Sequence, residues 1–444
     1  MNPLLAAHDQ ASFLLWRALG RGQLVQIYWR FPDGVAPEAL GRFRRALADT
    51  SLGRRVERSS VPFGRDRWVR ATEPGPLLVA PQALDPAQIG AWTASASCLP
   101  VDPEAGPGWF LSAASLTDGG GVVGLTVSHT IGDGQAVAEA VRAVVRGDGT
   151  PVPAAPPRIR VRARDRFEDL RVAVRAVPAA VCGLRATVRL AREERDAVPG
   201  SLWRSVRSVR SQQVGDGSVA DVPVVLAGVD DAQWRARAAA LGGSTNTLCA
   251  GLAVRLGAAL GRVGADGCVT ASLPISDRVA GDTRANANVP LVVRFHPDGI
   301  ASDLSGLRAE IARRLATFRE RGSPATAALA VAPFVPRAVA RRLEEVVLED
   351  AVPVLCSWLG EVDPAVARPC GAVAADWWVV GGEPVPEAQL WRTGGTLAVV
   401  GGSVGGRVGI SVRGWQPGVV TSQDELLAVT RRGFAEFGLD ADFH

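Results

Sequence analysis

Seven consecutive residues, Ser-His-Thr-Ile-Gly-Asp-Gly at 128–134, form the pattern in this 444-residue chain that most clearly suggests chemistry. They follow an alternating apolar run and precede a stretch, 135–145, whose spacing predicts a helix. His129 is one of only four histidines, and a histidine at the end of a strand suits a general base. Because imidazole exchanges its proton near neutral pH, His129 would deprotonate an alcohol or amine attacking a thioester, then protonate the leaving thiol.

Asp133 and Gly134 complete this pattern. Two roles stay open for Asp133: a salt bridge to an arginine that fixes the loop, or the N-cap of the helix that begins near Gly134. Gly134 lacks a Cβ atom, so the backbone can turn tightly there and approach a ligand closely. A histidine at a strand end beside a capped helix, without a catalytic role, is the alternative interpretation.

Strands and helices are predicted on both sides of the pattern, which indicates a mixed α/β chain. Alternating apolar residues predict strands at 24–31, 109–115, 122–128, 269–275, 289–295, 395–401 and 407–413. Helical spacing predicts helices at 37–49, 135–145, 231–241, 245–262, 304–319 and 423–437. The turn-rich residues 118–121 join two of the strands into a hairpin, which places His129 at the end of the second strand.

The spacing His-x-x-x-Asp-Gly resembles the signature of the coenzyme A-dependent acyltransferase superfamily. This superfamily includes chloramphenicol acetyltransferase, nonribosomal peptide condensation domains and polyketide-associated acyltransferases. The chain most resembles the bacterial wax ester synthase/diacylglycerol acyltransferase branch, in segments that follow the same order: 9–14, 107–109, 244–247, 273–278 and 356–360. It departs from the family at Ser128, which stands where the first of two adjacent histidines is usual, and from the branch after Asn246 and at Trp358.

The resemblance implies two chloramphenicol acetyltransferase-like halves, with mixed sheets and flanking helices, around a central channel. It also implies acyl transfer from coenzyme A or a carrier protein to a hydroxyl, with His129 as the base and no covalent acyl-enzyme. No cofactor would be bound permanently, since the coenzyme A thioester is a co-substrate. Besides the active-site loop residues Asp133 and Gly134, the residues that we expect along the substrate channel are Ser128, Trp109, Asn246, Arg278 and Trp358.

Some of these residues have further or alternative roles. By analogy with an Arg–Asp pair of the family, Arg278 is a candidate partner of Asp133. For Trp109 and Trp358, packing in the core is the alternative to lining an acyl channel.

A proline-rich stretch and an arginine-dense segment divide the chain. We expect an N-terminal half at 1–156, which carries the motif, an Arg-rich linker at 157–212, and a C-terminal half at 213–444. Between residues 158 and 210, 14 arginines and 6 acidic residues leave a net charge of +8, whereas the whole chain carries +4. A solvated linker helix explains this asymmetry, as does an anionic partner: coenzyme A phosphates, an acidic carrier protein or a membrane surface. No nucleic-acid recognition motif accompanies the charge.

Composition and context exclude several other chemistries. All 49 basic residues are arginine, which rules out a Walker phosphate loop and Schiff-base catalysis, because both need lysine. The six cysteines lack Cys-x-x-Cys spacing, so no metal site is expected, and no base is evident near Cys356 to make it a nucleophile. Ser403 lies in a Gly-x-Ser-x-Gly match, but a predicted strand follows it where a nucleophile elbow needs a helix.

Two rival functions and the location complete the sequence-based hypotheses. The rivals are a stand-alone condensation enzyme that forms an amide or ester between carrier-bound substrates, and a non-catalytic relative that acts as a binding module. The expected partners are acyl-CoA or acyl-carrier protein and an alcohol or amine acceptor, with no nucleic acid. Since no apolar stretch reaches the roughly 20 residues of a membrane span and no secretory signal is evident, we expect a cytoplasmic protein, with peripheral membrane contact left open.

Overall fold

The computed structural model describes residues 3–149, 154–158, 163–197, 219–279, 281–322, 327–341 and 353–444, with side chains described to residue 189 in the third of these ranges. These residues form two main β-sheets with helices packed around them, so the mixed α/β class is confirmed. Within the described ranges, no helix combines the length and apolarity needed to cross a membrane.

The N-terminal part alternates helices with short strands. Its helices are α1 (Ala7–Leu19), α2 (Pro37–Leu47), α3 (Ile89–Ser95) and α4 (Gly134–Arg146). Its strands are β1 (Leu24–Phe31), β2 (Arg54–Glu57), β3 (Arg67–Arg70), β4 (Leu77–Val79), β5 (Trp109–Ser115) and β6 (Gly121–Ser128). β5 and β6 form the predicted hairpin.

The rest of the chain begins with the long helix α5 (Ala163–Ala197). Its other helices are α6 (Asp231–Ala240), α7 (Thr245–Ala259), α8 (Ser305–Arg321), α9 (Glu387–Thr393) and α10 (Gln423–Glu436). Its strands are β7 (Val224–Asp230), β8 (Val269–Ser276), β9 (Asn288–Phe295), β10 (Val354–Glu361), β11 (Asp376–Gly382), β12 (Thr396–Val404), β13 (Arg407–Trp415) and β14 (Asp442–Phe443).

Strand β11 joins a sheet that is otherwise built from the N-terminal part. That five-stranded sheet has the order β11-β1-β6-β5-β4, and β11 pairs antiparallel with β1, from Leu24 opposite Gly382 to Arg30 opposite Asp376. The second main sheet has seven strands in the order β14-β7-β13-β12-β10-β8-β9. The division at residues 156 and 213 stays a prediction, and β11 ties the predicted C-terminal half to the N-terminal sheet.

The buried side chains of β11 connect two hydrophobic clusters, because alternate residues of a strand point to opposite faces. Trp377 lies in the main core of the N-terminal sheet, whereas Trp378 packs with Val224 and Leu226 of β7. The Trp378 indole N–H also donates to the carbonyl of Ala227 at 3.1 Å. The side chains of β11 are therefore buried against strands of both sheets.

Each predicted strand and helix corresponds closely to an observed element. Other observed elements were not predicted, because their sequences show no clear period. β11 is buried on both faces, and its Trp-Trp-Val-Val run does not alternate, so the signal of a half-buried strand is absent. β2, β3 and β4 have only three or four residues each, too few to show a period. Of the predicted linker, the described part is mainly α5; residues 159–162 and 198–212 lie outside the described residues.

Candidate active site

His129 lies in a short loop, residues 129–133, between the end of β6 and the start of α4; we call this the histidine loop. The backbone N–H of His129 donates to the carbonyl of Gln23 at 2.9 Å. The next turn is closed by Ile131, whose N–H donates to the Ser128 carbonyl at 2.8 Å. These two bonds hold a half-buried imidazole at the edge of the sheet.

Asp133 fills both roles that the sequence left open. One carboxylate oxygen, Oδ1, accepts the backbone N–H of Ala136 at 2.8 Å and so caps α4. The other, Oδ2, accepts from the Arg278 guanidinium at 2.8 Å and from the backbone N–H of Ala287 at 2.9 Å. This buried carboxylate therefore joins the start of α4 to the connection between β8 and β9.

The other hydrogen bonds of the Arg278 guanidinium go to backbone carbonyls in the connection between β8 and β9. Its Nη1 donates to the carbonyl of Arg284 at 2.9 Å, and its Nη2 donates to the carbonyl of Ala285 at 3.2 Å. The backbone N–H of Asp133 also donates to the Ala285 carbonyl, at 2.9 Å. We call residues 281–287 the bracing loop, because its backbone is fastened to the histidine loop at these points.

Asn286, in the bracing loop, contacts the imidazole directly. Its Oδ1 lies 2.7 Å from Nδ1 of His129. Its Nδ2 donates to Asp9 at 3.3 Å, and its backbone N–H donates to the same carboxylate at 2.8 Å. Because the carboxylate accepts from the amide nitrogen, the amide oxygen faces the histidine, and Nδ1 must carry the hydrogen.

This tautomer leaves Nε2 of His129 with an available lone pair. Within the described part of the chain, no side chain forms a hydrogen bond with Nε2. A neutral imidazole with one nitrogen fixed by an acceptor and the other unprotonated is the arrangement that general-base chemistry requires.

A buried carboxylate and a buried guanidinium support the bracing loop from behind. Burial raises the pKa of the Asp9 carboxyl, while the nearby Arg54 charge and the N–H groups of Ala285 and Asn286 oppose that rise. Burial lowers the pKa of Arg54 to about 10, which keeps the guanidinium protonated at neutral pH.

Arg54 also connects the two loops. It donates to the carbonyls of Thr283 and Ile131, each at 3.2 Å, and lies 4.1 Å from the centre of the Trp68 ring. One side chain thus ties the bracing loop to the histidine loop, while the aromatic ring shields it from water.

The remaining loop residues are placed as follows. Ser128 is the last residue of β6 and is buried. Gly134 is the first residue of α4 and has no positive φ; its close approach to a ligand stays a prediction. A Cβ atom at Gly134 would lie 3.3 Å from the Leu359 side chain, so the missing side chain makes room for packing.

Three of the expected channel residues, Trp109, Asn246 and Trp358, lie apart from this network within the described residues. Trp109 packs in the core of the N-terminal sheet, and Trp358 stacks on Trp234 with ring centres 5.7 Å apart. Asn246 lies in the first turn of α7, and among the described residues no hydrogen bond links it to His129. Their role along a channel stays a prediction.

Sequence reasoning missed Arg54 and Asn286, and it quoted Asp9 only as part of a family-like segment. The roles of these buried polar groups depend on partners far along the chain, and a local sequence period does not reveal such partners. The available signal was the polar run Thr-Arg-Ala-Asn-Ala-Asn at 283–288, placed between two predicted strands.

Two other nucleophile candidates are poorly placed for catalysis. Cys356 is buried, and its sulfur lies 3.8 Å from that of Cys249. The hydrogen bond from Cys356 and burial raise the pKa of Cys249, which favours unreactive thiols. Ser403 is buried within β12, which leads into a hairpin with β13 and not into a helix.

No family model and no curated protein matches this chain. Solved structures do share its fold. The wax ester synthase/diacylglycerol acyltransferase from Marinobacter aquaeolei VT8 aligns with a TM-score of 0.55 and 14% identity, over 98% of both chains. The first condensation domain of the calcium-dependent antibiotic synthetase, in complex with a substrate analogue, aligns with a TM-score of 0.59 and 13% identity, over 98% of this chain and 96% of that one.

A third similar structure is TRI101 from F. sporotrichioides, complexed with coenzyme A and T-2. It aligns with a TM-score of 0.56 and 12% identity, over 100% of this chain and 99% of that one. Together these similarities confirm the fold that the motif resemblance implied, the two-lobed fold of coenzyme A-dependent acyltransferases and condensation domains.

Proposed function

From this shared fold and the geometry around His129, we propose that the chain is an acyltransferase with His129 as its general base. It moves an acyl group from a coenzyme A or carrier-protein thioester to a hydroxyl acceptor, in the manner of a wax ester or triacylglycerol synthase. The observation that carries the proposal is the 2.7 Å contact between His129 Nδ1 and Asn286 Oδ1, which leaves Nε2 as the proton acceptor.

In the proposed reaction, a single atom, Nε2 of His129, first accepts a proton and later returns it. Nε2 of His129 takes the proton of the acceptor O–H as the oxygen attacks the thioester carbonyl carbon. The resulting tetrahedral adduct releases the thiol by breaking the C–S bond, and the imidazolium returns its proton to the sulfur. No acyl group is attached to the protein at any stage.

Asn286 would stabilise the positive charge that develops on the imidazole, since its carbonyl oxygen accepts the Nδ1 hydrogen. A positioned general base contributes about 10²–10⁴-fold to a rate. Holding donor and acceptor together, in the channel that the fold resemblance implies, would supply much of the remaining acceleration.

A condensation enzyme is the second candidate, favoured by the similarity to the condensation domain of the antibiotic synthetase. The same nitrogen would then deprotonate an amine or alcohol presented on a carrier protein.

We place the reaction in the cytoplasm, within lipid metabolism and with peripheral membrane contact, and without a nucleic-acid partner.

The test is a substrate panel read by mass spectrometry. Purified protein is incubated with acyl-CoAs, or with the same acyl groups on a carrier protein, and with alcohol, diacylglycerol and amine acceptors. The variant His129→Ala tests the base, and His296→Ala, at a half-exposed histidine beyond β9, is the matched control.

A product made by the wild type and by His296→Ala, but not by His129→Ala, supports the proposal. Products from the carrier-bound donor alone favour the condensation reaction. Equal turnover by folded His129→Ala overturns the assignment of the base, and silence with every donor and acceptor favours a non-catalytic binding module.

A further inference from the structure

Helix α5 exposes a continuous row of large apolar side chains. They are Phe167, Leu170, Val174, Val177, Val181, Leu184 and Val188, each at least 42% exposed. Their spacing alternates between three and four residues, so all seven lie on one side of the helix, along about 32 Å of its axis. We call this row the α5 stripe; apolar side chains exposed in such a row typically mark an interaction surface.

The rotation of α5 is fixed by a different side of the helix. Asp169, Ala173 and Ala180 are buried, and Asp169 forms an ion pair with Arg158 at 2.8 Å. At Gly183, a Cβ atom would lie 2.7 Å from the Ala327 carbonyl, so the helix packs closely there. These contacts bind one face of α5 to the protein and leave the neighbouring face, the α5 stripe, outward.

Arginines flank the α5 stripe. When the stripe residues are taken as positions a and d of a heptad, the flanking positions e and g between 166 and 187 carry Arg166, Arg171 and Arg185. The other residues at these flanking positions are alanine, threonine and proline, and none is acidic. Arg175 lies one position further round the helix, at the heptad position that Glu168 also occupies. All four are exposed, and within the described part of the chain none of them forms a salt bridge.

A loop next to α5 exposes one more aromatic side chain. Phe63 is 51% exposed and has a φ of 60°, which is uncommon for a residue other than glycine. The loop is attached to α5 through Ser60, whose N–H and hydroxyl both donate to Asp169, at 2.8 and 2.7 Å. The loop that carries this exposed phenylalanine is thus attached to α5, and the Phe63 ring itself stacks on Phe334, with ring centres 6.4 Å apart.

We propose that the α5 stripe, its flanking arginines and Phe63 bind the surface of a lipid bilayer that contains anionic headgroups. An apolar face bordered by arginine enters the boundary between headgroups and acyl chains, and the cations bind the headgroups. A second copy fits less well, because pairing two such helices through the α5 stripe brings Arg171 against Arg166 or Arg185 of its counterpart. The inference deepens the peripheral membrane contact in the proposed function and does not depend on acyl transfer.

The experiment is co-sedimentation of the full chain with large vesicles of phosphatidylcholine, with and without phosphatidylglycerol, at low and high salt. Leu170→Gln with Val174→Gln tests the α5 stripe, and Val79→Gln, at an equally exposed valine of β4, is its control. Arg171→Gln with Arg175→Gln tests the cations, and Arg319→Gln, at an exposed arginine of α8, is the control. Light scattering records the oligomeric state of each variant.

Binding should require phosphatidylglycerol and weaken at high salt. The apolar double variant should bind about tenfold more weakly or worse, and each lost arginine should weaken binding by about fivefold. No binding at low salt, or binding that both double variants retain, overturns the inference. A dimer that the apolar variant dissociates, without vesicle binding, assigns the surface to a second copy instead.

Measuring acyl transfer between water-soluble substrates distinguishes a failure of membrane binding from a failure of the proposed function. Variants that lose vesicle binding but keep this reaction leave both intact. Vesicle binding without any acyl transfer refutes the proposed function alone.

Discussion

Two loops meet at the candidate active site, and they are held in place in different ways. The histidine loop spans five residues between β6 and α4. Neighbouring residues close its turn and cap α4, as Asp133 does with Ala136, while Gln23, Arg54 and Arg278 bind it from further along the chain. The bracing loop is held by Asp9 of α1, Arg54 of β2 and Asp133, all more than 140 residues away. The reactive group therefore lies on a loop whose turn and helix cap are closed by neighbouring residues, while the orientation of the imidazole depends on Asn286, which distant contacts hold.

Removing the imidazole tests the histidine loop and should have the largest effect. His129→Ala is expected to lower kcat about 10²–10⁴-fold, because the proton acceptor is lost. The half-buried side chain carries little of the core, so thermal unfolding should stay near the wild type. Single-turnover rates and calorimetry check both expectations; a variant that fails to fold would show that the loop's shape depends on its histidine.

Breaking the link between the loops should act on stability. Asp133→Ala removes the cap of α4 and leaves the Arg278 guanidinium without its carboxylate, which should cost about 3–5 kcal/mol in the free energy of unfolding. Asp363→Ala is the matched control, since Asp363 also caps a short helix and pairs with an arginine, Arg146, but at the surface. Its loss should be about 1 kcal/mol or less.

Urea unfolding measures the two losses. Similar values for the buried and the surface pair would show that the loops are not coupled through Asp133.

Removing the acceptor on the bracing loop should slow the reaction without unfolding the protein. Asn286→Ala is expected to lower kcat about 10–100-fold, with KM little changed, because the imidazole loses the partner that fixes its tautomer. Asn288→Ala, at the neighbouring asparagine that starts β9, should behave like the wild type.

Asn286→Asp sharpens this test. Its carboxylate still accepts the Nδ1 hydrogen and stabilises the imidazolium, so the acidic limb of the kcat profile should move to higher pH. A profile that keeps its position while kcat falls would indicate a purely structural role for Asn286.

The pH dependence of stability gives the smallest expected effect. Burial lowers the pKa of His8, which lies on α1 beside Asp9 and near Asp277 and Arg284. Between that lowered value and 6.5, the unfolded chain binds more protons than the folded one, so the free energy of unfolding should rise with pH. His444, whose pKa burial also lowers, adds in the same direction.

Urea unfolding on either side of this window, for the wild type and His8→Gln, measures the contribution of α1. The variant should reduce the difference between the two pH values, whereas His296→Gln should not. An unchanged difference in His8→Gln would show that His8 does not contribute to the pH dependence of stability.

Much of the site could be predicted where the signal is local. The hairpin of β5 and β6, the start of α4 and the position of His129 at a strand end all follow from alternation, turn residues and capping. The pairing of Arg278 with Asp133 was suggested by family resemblance and not by spacing. The environment of Asn286 had no such signal, because its partners lie on α1 and in the histidine loop.

The sequence by itself determined the strand, loop and helix that carry His129, because hydrogen bonds and steric preferences among neighbouring residues decide those elements. Only the tertiary structure decided which imidazole nitrogen is available. That choice depends on an amide whose direction is set by Asp9, 277 residues away. Contacts of this kind form only when distant segments are buried together, and no local pattern encodes them.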